Sequence, residues 1–369
     1  MQIDRLSLRG FRNYEDAQAQ FVPGVNLLVG GNANGKTNLL EAVSYLSTGR
    51  SFRTRREAEL IRFGADFAEL RAQVQSQERT RELRAVLFSG RRPRQLWLAG
   101  VRQRSRAALS GVLTSVLFCP EDLMILKKGA SGRRRLMDGV ICQLRPNYEA
   151  ALTEYGRLLD QKSALLRERY DNSSLLQVLP EYDLRMAQTG ALVISYRARY
   201  VKALAQEAAR YHREFSGDSE SLELTYRTVS TVTDPFAPPE TLCAQLQEHQ
   251  RSHARAELES AQCLSGPHKD DFEAVINGLP VAQFASQGQT RTAVISLKLA
   301  ERALLRQGTG ETPVLLLDDV LSELDAGRQD FVLNQLREGQ VFITCCETDR
   351  LTSLGQVLSI RSGTIGGAQ

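Results

Sequence analysis

The rhythm of apolar and polar positions changes three times along the chain. In the first 30 residues IDRLSL (3–8) alternates, QAQFV follows, and VNLLV (25–29) is a short apolar run of the kind a buried strand carries. Between 37 and 47 the apolar Leu39, Leu40, Val43 and Leu46 fall at helical spacing, so the segment reads strand, glycine loop, helix. AELRAQVQ, ELRAVLFS, RQLWLA and SVLFC add strands, joined by turns rich in Gly and Arg.

After Pro120 the pattern becomes helical from Arg133 to Tyr211, broken at Pro146 and at the polar DNSS (171–174) before Pro180. Tyr148, Leu152, Tyr155, Leu159 and Leu166 form one stripe, and Leu184, Ala191, Val201, Leu204 and Ala208 a second. Two such helices with a short connection predict an antiparallel hairpin arm. LELTYRTVSTV then reads as a strand, DPFAPP as a loop, and 240–262 as a charged helix. DDFEAVI is a strand whose following NG signals a hairpin turn, and the tail alternates helix (290–305), strand (VLLLDD), helix and strand (QVFIT). The expectation is an α/β head built from both chain ends (1–120 and 262–369) around an inserted helical arm domain (121–261).

Composition narrows the class. At 369 residues, 42% apolar and 24% charged, the chain suits two ordinary globular units. No run nears the roughly 18 apolar residues of a membrane helix, and the start lacks a signal peptide's apolar centre, so a cytoplasmic protein without a membrane partner is expected. The six cysteines form no C-x-x-C pair and read as buried free thiols. His249 and His253 have a metal-capable spacing but no following glutamate, and read as a solvated helix face. Net charge is only +4, yet residues 50–106 hold fifteen arginines against six acids, while 309–350 hold nine acids against three arginines. That asymmetry suits a polyanion on one face and nucleotide or metal chemistry on another.

Gly30-Gly31-Asn32-Ala33-Asn34-Gly35-Lys36-Thr37 fits the phosphate-binding loop pattern G-x-x-x-x-G-K-[ST] between a strand and a helix. Backbone N–H groups cradle phosphates there, Lys36 supplies a charge, and the Thr37 hydroxyl can ligate Mg²⁺. A glycine turn with no ligand is the plain alternative. VLLL followed by Asp318 and Asp319 suits the partner acid strand: Asp318 for the metal, Asp319 to polarise the attacking water. Arg50, Arg53, Arg55 and Arg56, with Lys127, Lys128, Arg133, Arg134 and Arg135, are the candidate DNA contacts; a solvated charged face is the alternative.

Ser286-Gln287-Gly288-Gln289 before a helix resembles the LSGGQ signature of ABC-type ATPases, and Ser322-Glu323-Leu324-Asp325 resembles their D-loop. FRNY (11–14), GNANGKTNLLEAVSYL (31–46), GRSFRTRR (49–56), LFCPEDL (117–123), GPHKDD (266–271), SQGQTR (286–291) and LLLDDVLSELD (315–325) narrow the likeness to the RecF family of bacterial recombination and repair proteins, over nearly the whole chain.

The resemblance implies an SMC-like, ABC-type P-loop ATPase head with a short arm. It implies ATP and Mg²⁺ as cofactors, and a homodimer that sandwiches ATP between one chain's P-loop and the other's signature, so that Ser286, Gln287, Gly288 and Gln289 act in trans. Weak DNA-stimulated ATPase activity, binding of double-stranded DNA near single-strand gaps, and cooperation with RecO and RecR in loading RecA follow from the same likeness, in DNA repair, recombination, replication and the SOS response. Gln287 replaces the first signature glycine of transporters. Thr344, Cys345 and Cys346 stand in place of their switch histidine, and Pro120-Glu121-Asp122 falls where a Q-loop glutamine would lie. His268, Lys269 and Asp270 of GPHKDD suit either a head interface or a strand end with satisfied charges. A transporter ATPase subunit and a P-loop small-molecule kinase are the competing classes; the arm and arginine excess speak against the first, a trans signature against the second.

Overall fold

Alternation and short apolar runs become strands as expected: β1 (Gln2–Phe11), β2 (Tyr14–Gln20) and β3 (Val25–Val29) precede helix α1 (Lys36–Thr48). There follow β4 (Phe67–Ser76), β5 (Arg79–Phe88), β6 (Gln95–Leu98), β7 (Val101–Gln103) and β8 (Ser115–Phe118). Next come α2 (Ala130–Leu144), α3 (Pro146–Arg167), α4 (Leu179–Ser216), β9 (Leu222–Arg227), α5 (Pro239–Ser260), β10 (Asp271–Ile276), β11 (Leu279–Pro280) and α6 (Val281–Phe284). The chain returns through α7 (Gln287–Thr309), β12 (Val314–Leu317), α8 (Ala326–Asn334), β13 (Val341–Cys345), β14 (Gly355–Arg361) and β15 (Thr364–Gly366). This computed structural model describes all residues except 78, 169–176, 336–337, 347–351 and 368–369, so the DNSS segment lies outside the described residues.

Two compact units result: Met1–Met124 with Gln287–Gln369, and Ile125–Ser286. The first holds two six-stranded sheets, ordered β2-β1-β4-β5-β6-β7 and β15-β14-β3-β13-β12-β8. The former is antiparallel, and its alternating pattern buries one face. In the latter every neighbouring pair from β14 to β8 is parallel, which is why VLLL is buried at all four positions. Helix α1 packs on strands of both sheets, burying Leu39, Leu40 and Val43 in a core shared with Leu8, Leu70, Leu316, Phe342 and Ile360. Gln340 joins the sheets by imitating a peptide: its amide accepts from Ile3 N at 2.8 Å and donates to Ile3 O at 2.9 Å, where the β1–β4 register shifts. The β14–β15 hairpin and β7 were not anticipated from sequence.

The second unit packs α3 along α4. Its pairs run in opposite order, Tyr148 and Arg197 at one end and Lys162 with Asp183 at the other, so the two helices are antiparallel. The buried stripe of α3 is Tyr148, Ala151, Tyr155, Leu158 and Leu166, with Leu152 and Leu159 only half-buried. Leu184, assigned to the second stripe, is exposed instead; α4 buries Met186, Ala187, Ala191, Ile194, Val201, Leu204 and Ala208.

Residues 262–286 belong to this unit, not to the head as their sequence suggested. The reason is the antiparallel ladder of β10 with β9, closed by the Asn277–Gly278 turn to β11. The turn Pro120–Met124, by contrast, stays with the first unit and packs on α7. His249 is buried and bonded to Ser265 Oγ at 2.7 Å, not on a solvated face. Of the cysteines, Cys119, Cys142 and Cys263 are buried, but Cys243 and Cys345 are half-buried and Cys346 is exposed.

Candidate nucleotide site

Parallel β3 delivers the chain to the sheet edge at Val29, and the loop turns there because glycine permits it. A Cβ on Gly30 would lie 2.2 Å from Ile360 O, and Gly35 sits at φ 115, with a Cβ there 2.7 Å from the Asn13 amide. The FRNY segment holds this loop from behind. Asn13 Nδ2 donates to Asn34 O at 3.0 Å, Tyr14 Oη to Gly35 O at 2.9 Å, and Arg12 grips the fully buried Glu41 of α1 through two bonds of 2.8 Å. Gly363 N, from the turn of the C-terminal hairpin, also donates to Asn34 O at 3.0 Å. The carbonyls of Asn34 and Gly35 are thus tied outward, which holds the end of the loop, and α1 starts at Lys36 with its positive end toward the loop.

Lys36 is 4% exposed and its ammonium donates to Gly30 O at 2.6 Å and Gly31 O at 3.2 Å. Thr37 Oγ1 donates to Asp318 Oδ1 at 2.9 Å, joining the loop to the acid at the end of β12. Asp318 is 6% exposed, and burial pushes its carboxyl above the ordinary value, with the charges of Asp319 and Glu121 adding to that and the Thr37 and Thr344 hydroxyls opposing it. A carboxylate and a hydroxyl this close are hard oxygen donors that fit Mg²⁺, a cation that takes few protein ligands and completes its shell with phosphate oxygens and water. Among the described residues no group of three or more His, Cys, Asp or Glu forms a metal cage, in keeping with so sparse a donor set. Asp319 is half-buried beside it at φ 49.

The Q-loop position splits. Asp122 accepts from Cys119 N at 3.1 Å and pairs with the buried Lys298 of α7 at 3.3 Å, whereas Glu121 is exposed and electrostatically felt by Asp318. At the signature, Ser286 and Gln287 are exposed while Gly288 and Gln289 are half-buried. Helix α7 starts at Gln287, three residues earlier than expected, so most of the signature is its first turn. Asp325 of the D-loop caps α8 by accepting from Arg328 N at 3.0 Å; the Arg328 guanidinium pairs with Asp325, donates to Gly288 O at 2.9 Å and reaches Thr292 Oγ1 at 3.1 Å. D-loop and signature helix are thereby tied through one side chain.

The basic residues divide by what holds them. Arg50, Arg55 and Arg56 are exposed, as is Arg53, though it donates to Asn38 Oδ1 at 2.7 Å and lies 3.7 Å from Glu41. In the second unit Lys127 donates to Ala285 O at 2.7 Å, and Arg133 is clamped by Asp271 at 2.6 and 2.7 Å and by the carbonyls of Ile125 and Lys128. Arg134 donates to Asp270 O at 2.7 Å, and burial together with the charge of Arg197 lowers its pKa. Lys128 and Arg135 are exposed. Arg133 and Arg134, grouped with the DNA contacts in sequence, thus spend donors inside their own unit. Of GPHKDD, Asp270 is fully buried, accepting from Arg197, Thr228 and Tyr226. His268 bonds to Tyr155 Oη at 2.7 Å and donates to Cys263 O at 2.9 Å; burial pushes its pKa down to about 4. Only Lys269 of the three is exposed.

Sequence reasoning gave no role to Asn13, Tyr14 or Glu41, and placed Thr344 only as one of three residues standing where transporters carry a switch histidine. Asn13 and Tyr14 carried a signal, since FRNY lacked a local role; Glu41 shares its helix face with Thr37, Asn38 and Ser44 and carried none.

The family RecF/RecN/SMC N terminal domain matches residues 2–365. The DNA replication and repair protein RecF of Symbiobacterium thermophilum is 40% identical over 373 residues, covering 99% of this chain and 98% of that protein. The one from Lactobacillus johnsonii is 36% identical over 374 residues, covering 99% of each. Among solved structures, the recombination mediator protein RecF-ATPrS of the RecFOR pathway aligns with a TM-score of 0.91 and 31% identity over 99% of this chain and 98% of that one. An Smc head domain with a coiled coil and joint from Pyrococcus yayanosii aligns at TM-score 0.56 and 14% identity, over 100% and 97%, a likeness of fold. The chain belongs to the RecF family of DNA replication and repair proteins, within the SMC-like ABC-type ATPases.

Proposed function

We propose that this protein binds ATP and Mg²⁺ at Gly30–Thr37, dimerises around the nucleotide on double-stranded DNA near single-strand gaps, and is released by slow, DNA-stimulated hydrolysis. With RecO and RecR it helps load RecA in the cytoplasm. The observation that supports the reading is the 2.9 Å bond from Thr37 to Asp318, which joins the glycine loop to the acid after β12 across 281 residues of sequence.

Lys36 holds the β- and γ-phosphates by charge, and the loop amides orient them. Thr37 and Asp318 would hold Mg²⁺, which would supply positive charge against the phosphate oxygens. Asp319 orients the attacking water and accepts its proton. Ser286 to Gln289 of a second chain meet the γ-phosphate from the open side, so ATP bridges two copies. Arg50, Arg53, Arg55 and Arg56, with Lys128 and Arg135, face DNA phosphates, a sequence-independent and salt-dependent mode.

Light scattering with and without ATP, Mg²⁺ and duplex DNA tests this. The parent protein should double in mass with ATP. Lys36→Met should bind ATP roughly ten- to hundredfold more weakly, the worth of one charged hydrogen-bond donor. Ser286→Arg should bind ATP normally yet stay monomeric. Dimerisation of Ser286→Arg as readily as the parent would make the trans arrangement wrong.

A further inference from the structure

A single hydroxyl stands between the two acids that end β12. Thr344 on β13 is 3% exposed, and its Oγ1 accepts from Asp319 N at 2.7 Å. The same oxygen lies 3.1 Å from Asp318 Oδ1 and 3.1 Å from Asp319 Oδ1. A threonine hydroxyl carries one proton, so it serves one carboxylate at a time. Asp318 Oδ1 also receives the Thr37 proton, so it does not depend on Thr344 alone. Asp319 meanwhile sits at φ 49, a left-handed conformation that a side-chain-bearing residue keeps only where its surroundings hold it. The amide bond to Thr344 is such a hold.

We propose that Thr344 is a positioning residue for ATP hydrolysis: its Oγ1 holds the backbone of Asp319 in its left-handed conformation and so fixes where the Asp319 carboxylate stands relative to the attacking water. The arrangement requires β13 beside β12 and an oxygen at this one position, since the flanking Ile343 is apolar and buried and Cys345 offers only sulfur. The proposal rests on the reading of Asp319 as the residue that polarises water.

The test compares Thr344→Val, which keeps the shape and removes the hydroxyl, with Thr344→Ser, which keeps the hydroxyl, in single-turnover hydrolysis and in binding of a fluorescent ATP analogue. Hydrolysis by Thr344→Val should fall roughly ten- to hundredfold, part of what a positioned base supplies, with nucleotide affinity within about twofold of the parent. Thr344→Ser should stay within about threefold of the parent rate, and adding Thr344→Val to Asp319→Asn should slow that variant no further. If Thr344→Val does not fold, Thr344→Ala takes its place against Thr344→Ser. An unchanged rate without the hydroxyl, a Ser variant as slow as Val, or full additivity with Asp319→Asn each overturns the proposal. Parent-like hydrolysis by Asp319→Asn would bring down the base and this proposal together, whereas a slow Asp319→Asn beside a fast Thr344→Val removes only Thr344.

Discussion

Both units bury charge, and they do so in opposite ways. In the second unit Arg197 donates to Asp138 at 2.9 Å, to Asp270 at 2.9 Å and to Pro267 O at 2.7 Å, while Asp270 also accepts from Thr228 and Tyr226. Burial works against the charge on Arg197, but Tyr148, Asp138 and Asp270 around it hold the guanidinium protonated. Every partner there is committed. At the nucleotide site one hydroxyl proton faces two carboxylates and the lysine ammonium rests on loop carbonyls. Those partners can be exchanged. Residue types are alike in the two places; what separates scaffold from site is whether the hydrogen bonds are saturated or can be traded for a ligand.

The largest effect that would break this contrast lies in the saturated cluster. Asp270→Ala leaves the Arg197 charge buried with one acid fewer, and loss of a partner from a buried pair costs about 3–5 kcal/mol. Urea denaturation should report that loss, while the folded fraction should bind ATP with the parent's affinity. A loss below about 1 kcal/mol, the level of an ordinary substitution, would mean the cluster is not the anchor its geometry implies.

The arginines give a middle-sized test of the same idea. Arg55 and Arg56 are exposed, whereas Arg133 is clamped by Asp271. Changing Arg55 and Arg56 together to Glu should weaken duplex binding and flatten its salt slope by about 1.8, the value for two phosphate contacts. Arg133→Gln should instead lower the unfolding midpoint and leave that slope unaltered. A reversed outcome would move the DNA surface to the base of the helical unit.

What sequence could reveal follows the same division. The P-loop and the acids of β12 were legible because each is contiguous, and an apolar run ending in acids points to its own chemistry. Thr344 was not, because its role exists only once the order β3-β13-β12 sets it beside residues 25 and 26 positions away. Arg133 read as a free charge because its acid lies 138 residues on, and GPHKDD was opaque because Asp270 is satisfied by side chains from α4 and from β9 and the residue just after it. The β14–β15 hairpin escaped because QVLSIRSGTIG alternates weakly, yet it supplies the Ile360 carbonyl against which Gly30 turns. Stripe residues such as Leu184 failed by one helical step: spacing gives a periodicity, and packing decides which face is buried.

The smallest predicted effect concerns thiols, and it applies the contrast to a single residue type. Cys142 and Cys263 are buried in the second unit, whereas Cys346 is exposed, its Sγ donating to Asn32 Oδ1 at 3.3 Å and lying 3.7 Å from Lys36 Nζ. Burial pushes the thiol of the adjacent half-buried Cys345 up, with the Lys36 charge pulling the other way, so Cys346 is the more accessible of the pair. N-ethylmaleimide adds bulk beside the loop that holds phosphates and should act first at Cys346. Singly labelled protein, identified by intact mass, should bind ATP about three- to tenfold more weakly, a cost near 1 kcal/mol, and saturating ATP should slow the labelling. Cys346→Ser should bind ATP like the parent and lose the sensitivity. Parent-like ATP binding by the labelled protein would place that thiol away from the phosphates and leave Lys36 with less crowded company than the geometry gives it.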